Sequence, residues 1–489
     1  MLFNSLKFLI FFPIVCLLYY SISHRYRWVL LLTASYYFYM CWKIEYVVLI
    51  LITTCITYIT AIKIHQEEQK KKKRLYLFTC IASNLLILFV FKYFNFFNNS
   101  LKILSEHFNL LYNIPLLHLL LPVGISFYTF QSLSYSIDVY LEKKVPEKHF
   151  GIFALYVSFF PQLVAGPIER STKLLPQFYN QVQFDYKKIT GGLQLMAWGF
   201  FKKMVIADRL AMLVDQVYNH ASDYTGLPLI LGTYFFAFQI YCDFSGYSDI
   251  AIGAARVLGF ELTNNFNFPY FAKDISDFWR RWHITLTTWF RDYLYIPLGG
   301  NRVSRKRWYY NILIVFLLSG LWHGAAWTFV IWGFLHGVFI VVTRIFQERK
   351  ASSANSKVAQ EPGRLRNFIN VVITFHLVTF LWIFFRANSL NDAYYIICNL
   401  FNFNGVNNIL WQILHDSKAY LGMNMYELII SVLLICFLII AELSNYRYDA
   451  LGKLMEKPLC IRWSYYYFIV YLILIFGKFS INSFIYFQF

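Results

Sequence analysis

Charge is what this sequence has little of: Asp, Glu, Lys and Arg make up 14% of its 489 residues, against 58% apolar residues. So few charged side chains cannot cover a soluble globule of this size, and an ordinary water-soluble enzyme is excluded. Paired cysteines are missing as well. The eight cysteines sit mostly in apolar runs (Cys16, Cys55, Cys80, Cys436), and none forms a Cys-x-x-Cys pair. They read as small apolar fillers rather than disulfides or metal ligands. No His-Glu-x-x-His or Gly-x-Ser-x-Gly motif occurs, so neither a zinc site nor a nucleophile elbow is indicated. The opening "MLFNSLKFLIFFPIVCLLYYSI" lacks a small-residue cleavage site and reads as a retained first span. Acidic residues are scarcer than basic ones, 26 against 44, for a formal charge of +18. In so apolar a chain that excess speaks of cytoplasmic loops, which collect Lys and Arg, rather than of nucleic acid.

Long apolar runs are what the sequence does have. "YVVLILITTCITYITAI" (46–62) and "LIISVLLICFLIIA" (428–441) approach the length of a bilayer span. Such runs recur from end to end, with neither an internal repeat nor a soluble domain between them. The expected architecture is an all-α polytopic membrane protein, one integral-membrane domain over 1–489, with about 11–13 transmembrane or re-entrant helices. Spans are expected near 115–140, 151–166, 188–206, 225–242, 309–330 and 331–347 within a core of 115–345, and C-terminal spans over 367–480. The run "KKKKR" (70–74), the basic loop at 23–28 and the long basic stretch at 343–367 are expected to be cytoplasmic, which puts the N-terminus outside.

Two regions are chemically unusual. The first, 241–302, holds Asp243, Asp249, Asp274, Arg280, Arg281, His283, Arg291 and Asp292 among many aromatics. It is too polar for a lipid-facing span and is expected to form short or re-entrant segments buried in protein. Asp274 or Ser276 would cap a helix that carries His283 in its second turn. The second region, "SGLWHGAAWTFVIWGFLHG" (319–337), is almost wholly apolar yet carries His323 and His336. Basic residues at 302–308 and 343–367 leave room for a tight helical hairpin. That hairpin puts His323 about 22 Å along its first arm, near the apex, where glycines let the arms approach closely. Two readings of His323 stand side by side: a core imidazole bonded to a backbone carbonyl, or a general base. An apolar surrounding favours the uncharged ring, and the uncharged ring is the form that accepts a proton from a hydroxyl.

Four motifs, "FFPQLVAGPIER" (159–170), "YCDFSGYSDIAIG" (241–253), "NFNFPYFAKDISDFWRRWHITLTTWFRDYLYIPLGG" (265–300) and "GLWHGAAWTFVIWGFLHG" (320–337), occur in this order. Together they resemble the membrane-bound O-acyltransferases, and within them the bacterial branch that contains the alginate O-acetylation membrane subunit. The resemblance implies a ring of spans around a central tunnel, donor entering from the cytoplasm and acceptor reached from outside. It implies that His323 is the family's catalytic histidine and His283 its second catalytic position, while His336 remains a structural or supporting residue. Asp243 and Asp249 are weaker candidates for orienting partners. The expected function is transfer of acetyl groups to a cell-surface or exported polysaccharide, directly or through a periplasmic partner acetyltransferase, in the cytoplasmic membrane. Acetyl-CoA is the expected donor, its phosphates met by Arg280, Arg281 and Arg305, with no bound cofactor and no metal. Teichoic-acid D-alanyl transfer is the rival within the superfamily, and a transporter or flippase without acyl chemistry the rival outside it.

Overall fold

The computed structural model describes the whole chain except residues 354–362, 455, 480–483 and 486–489. All regular secondary structure among the described residues is helical. Physics leaves little choice: in hydrocarbon every backbone N–H and C=O needs a partner, and a helix supplies them within one segment. Among the described residues seven helices are long and apolar enough to cross a bilayer: Ile44–Gln66, Lys70–His107, Leu227–Val257, Trp327–Glu348, Arg364–Arg386, Met425–Tyr448 and Leu459–Phe476. The shorter helix Leu6–Ser21 and the 19-residue helix Arg305–His323 accompany them. Part of the basic stretch expected as a cytoplasmic loop, 354–362, lies outside the described residues.

The chain forms two compact units. Among the described residues the first comprises 1–196 and 247–263, the second 197–246 and those of 264–485. In the first unit, helices Val47–Gln66, Lys70–Leu88 and Ile125–Tyr140 meet along small polar side chains rather than bulky apolar ones. Cys80 Sγ lies 3.1 Å from Ser136 Oγ, and Asn84 Nδ2 donates to the Cys80 carbonyl at 2.8 Å. Small residues of this kind are how helices pack closely where lipid offers no hydrophobic drive. Two expected spans are shorter than their apolar runs. Residues 110–122 are non-helical, held by Asn95, whose Oδ1 accepts from Leu117 N at 2.9 Å. The helix Phe150–Ser158 stops before Pro161 and gives way to a short turn, Phe160–Leu163. Beyond it, buried Glu169 accepts hydrogen bonds from the Thr263 backbone N–H and, at 3.1 Å, from the Thr263 hydroxyl. Glu169 thus ties the motif at 159–170 to Thr263, ten residues past the motif at 241–253.

The second unit carries the chemistry. Helix Leu227–Val257 runs 31 residues, well past the expected end near 242. The polar start of the 241–302 region is therefore the continuation of a long helix and not a re-entrant piece, with residues 227–246 in this unit. It stays helical because its polar groups are matched by an adjacent helix. A π-helical stretch, Phe201–Ala207, carries Lys202 and Lys203, both buried. Lys203 Nζ lies 2.6 Å from Asp243 and 2.9 Å from Asp208, and Lys202 donates to Ser245 Oγ at 2.9 Å. Gly246 makes the approach possible: a Cβ there would meet the Gly199 carbonyl at 2.8 Å.

The expected hairpin is present as helices Arg305–His323 and Trp327–Ser353. Its arms touch backbone to backbone. A Cβ on Gly320 would collide with the Phe329 carbonyl, and one on Gly333 with the Phe316 carbonyl. Gly324 is filled on the same principle by the Phe329 ring. Larger side chains at 320 or 333 would force the arms apart.

Candidate active site

His323 is the last residue of its helix, at the hairpin turn. His283 comes from a different local device. Asp274 caps helix Ile275–Arg281 by accepting from Asp277 N, and the helix ends at Arg281. His283 is therefore not in its second turn, as expected, but in the joint before the next short helix, Ile284–Phe290. Its φ is +43°, a left-handed conformation uncommon for a residue with a side chain. The extended segment alongside holds this joint. Asn265 O accepts from Ile284 N at 2.9 Å, Asn265 Oδ1 accepts from Thr285 Oγ1 at 2.9 Å, and Asn267 N donates to Arg281 O at 2.9 Å. Strain of this sort, fixed by surrounding bonds, concentrates at functional sites.

The two rings come together, their centroids 6.3 Å apart. Both are buried, at 0% and 1% exposure. Aromatics wall them in: Phe244 lies 4.7 Å from His283, and Trp322 and Trp332 each lie 5.0 Å from His323. Trp382 stacks on Trp332 at 5.6 Å. His336 is also buried, one ring further on, with Trp332 at 4.9 Å. Its Nδ1 accepts a hydrogen bond from Trp279 Nε1–H at 3.2 Å. Asp243 does not orient either ring. Its described carboxylate contacts are Lys203 and, at 2.8 Å, the Ile485 backbone N–H.

A cavity of about 260 Å³ opens between the short helices and the hairpin. Its walls include Trp279, Leu286, Phe290, Ile312, Val315 and Phe316, and its lining also takes in Arg280, Arg291 and Arg344. Ser319 lies four residues, about one helical turn, before His323, and Arg280 and Leu286 stand three residues to either side of His283. From Trp308 to Ser319 the cavity follows the hairpin arm for about 16 Å. Arg281 and Arg305 are not among the lining residues. Arg281 bonds Asp277 at 3.0 Å and lies over the Tyr446 ring, and Arg305, largely exposed, faces Glu348 at 3.4 Å. Sequence reasoning missed Arg291 and Arg344 because only folding brings them to one cavity. It missed the tryptophans because an aromatic in an apolar run carries no mark of its role. No group of three or more His, Cys, Asp and Glu suited to a metal occurs among the described residues.

A polytopic helical protein with a buried histidine pair and an arginine-fringed cavity is built for group transfer inside a membrane. The chain matches the membrane-bound O-acyltransferase family over residues 31–388, and it belongs to that family. It is 37% identical to the peptidoglycan O-acetyltransferase of Helicobacter pylori over 441 residues, 83% of this chain and 81% of the relative. It is 39% identical to the alginate O-acetylase AlgI of Pseudomonas aeruginosa over 449 residues, 91% of this chain and 82% of the relative. Similarity to the teichoic acid D-alanyltransferase of Bacillus subtilis is lower, 29% over 272 residues, covering 53% of this chain and 67% of the relative.

Proposed function

We propose that this protein is an O-acetyltransferase of the cytoplasmic membrane. It takes acetyl groups from a cytoplasmic thioester, acetyl-CoA, and passes them to a hydroxyl of an exported or cell-surface polysaccharide, or to a partner acetyltransferase outside. The observation that supports this most is the cavity lined by three arginines and by Ser319, about one helical turn before His323. At about 260 Å³ it is smaller than the ~300–1,000 Å³ of a site that encloses a whole drug-sized ligand. It suits a slender arm, with the phosphates of the carrier left outside among Arg280, Arg291 and Arg344. The higher identity and fuller coverage of the O-acetyltransferase relatives favour acetyl over D-alanyl transfer.

In this reading His323 takes the proton of the attacking hydroxyl as its oxygen bonds to the acyl carbon. The C–S bond then breaks, and the proton returns to the departing thiolate. An ester and a free thiol result. His283, held at its strained joint, positions the carbonyl or stabilises the charge that gathers on its oxygen. The aromatic walls keep water from the thioester.

The expected outcome for Arg291→Ala and Arg344→Ala is a raised KM for acetyl-CoA with a smaller change in kcat, measured as thiol release by purified protein. Unchanged KM in both variants would remove the phosphate role. Orientation is proposed from the basic segments, with the N-terminus outside and 65–75 inside. A cysteine placed at Gln69 should resist an impermeant thiol reagent added to intact cells, and ready labelling there would reverse the map.

A further inference from the structure

We infer that Trp279, held in place by His336, is the wall that restricts the donor to a short acyl group. The inference rests on the donor reading of the cavity. Trp279 and Ser319 are buried lining residues of the cavity, each 5% exposed. An arm that fills the cavity on its way to the histidines passes their side chains. That way is bounded by indoles. Trp279 lies 5.3 Å from Phe316 and 5.7 Å from Trp332, and Trp332 in turn lies 5.0 Å from His323. Trp279 thus both lines the cavity and packs on the ring covering the proposed base.

His336 explains why the indole stays put. It is fully buried, and among the described residues it has one hydrogen bond, which its Nδ1 accepts from Trp279. Its Nε2 is buried with no hydrogen-bond partner among the described residues. With Nδ1 accepting, the proton of a neutral ring sits on Nε2, and a buried N–H without an acceptor is costly. A phenyl ring would pack in this apolar shell without that cost. What the imidazole adds is an acceptor that fixes the indole N–H, and with it the plane of the wall. Phe278, stacked on the other side of His336 at 6.2 Å, completes the support.

The test compares acetyl-, propionyl- and butyryl-CoA as donors for full-length purified protein, read as thiol release. Trp279→Phe should raise the butyryl-to-acetyl ratio of kcat/KM by ~10-fold or more, the range in which a methylene is accepted or refused by an apolar pocket. His336→Phe should move the ratio in the same direction by freeing the indole. His336→Gln should hold it near the wild-type value, since an amide oxygen can accept the same N–H. A purely structural role would lower all rates together and leave the ratio unchanged. An unchanged ratio in Trp279→Phe or His336→Phe, with acetyl turnover still measurable, overturns the inference. So does loss of acetyl turnover in both variants when they elute as the wild type. If Trp279→Phe does not fold, the milder Trp279→Tyr takes its place under the same criterion. A wild type inert toward every thioester would instead sink the donor reading, and this inference with it.

Discussion

His323→Gln should remove acyl transfer while the protein still inserts, folds and elutes as the wild type. Glutamine is close to histidine in size and can form a hydrogen bond at the same place, so packing against Trp322 and Trp332 is largely kept. What it cannot do is take a proton from the attacking hydroxyl. General-base help is typically worth ~10²–10⁴-fold, and the loss should be of that order. His323→Ala should be no more active. His283→Ala should reduce turnover less, because a residue that positions a carbonyl shares the task with its surroundings. The measurement is acetyl transfer or thiol release in detergent, with gel filtration as the control for folding. Turnover above about a third of wild type in His323→Gln, where at least a ~100-fold loss is expected, would make the role of this histidine structural.

Lys203→Met should cost more stability than any other single change to the second unit's interior. Lys203, Asp208 and Asp243 have side chains only 3–4% exposed, and the one ammonium holds both carboxylates within hydrogen-bond distance. Without it two acidic groups are left buried against each other. Breaking a buried pair by removing one partner costs ~3–5 kcal/mol, a large part of the ~5–15 kcal/mol that holds a typical protein folded. The variant should aggregate or melt far below the wild type in detergent. Adding Asp208→Asn and Asp243→Asn to Lys203→Met should recover most of the loss, because uncharged groups need no counter-ion. A Lys203→Met protein with wild-type thermal stability would mean that these groups are not charged in the folded state.

Much of this was legible in the residues. The hairpin followed from two basic flanks and the length between them, and the place of His323 at its apex followed from helical rise. Asp274 was legible as one of two candidate caps, with Ser276, because its carboxylate precedes a helical run, and the structure selects it. His283 was misplaced by the same reasoning. Helical periodicity continues through "DFWRRWH" without a break, and nothing local marks the left-handed turn that Asn265 and Asn267 enforce from outside the helix. The long helix through Asp243 was cut short for a similar cause. Its carboxylate looked too polar for a span, and the lysine that neutralises it lies 40 residues away in sequence.

By itself, then, the sequence determined that the chain is helical and lives in a membrane, because apolar runs of bilayer length leave the backbone no other way to satisfy its hydrogen bonds. It also singled out His283, His323 and His336, residues of a type costly in an apolar setting. The tertiary structure alone decided which side chains share a space: His283 beside His323, Asp243 with Lys203 rather than with a histidine, Arg291 and Arg344 rather than Arg281 and Arg305 along the cavity, and His336 on Trp279. These are contacts between distant segments, set by how helices pack, and packing depends on the shapes of both partners at once.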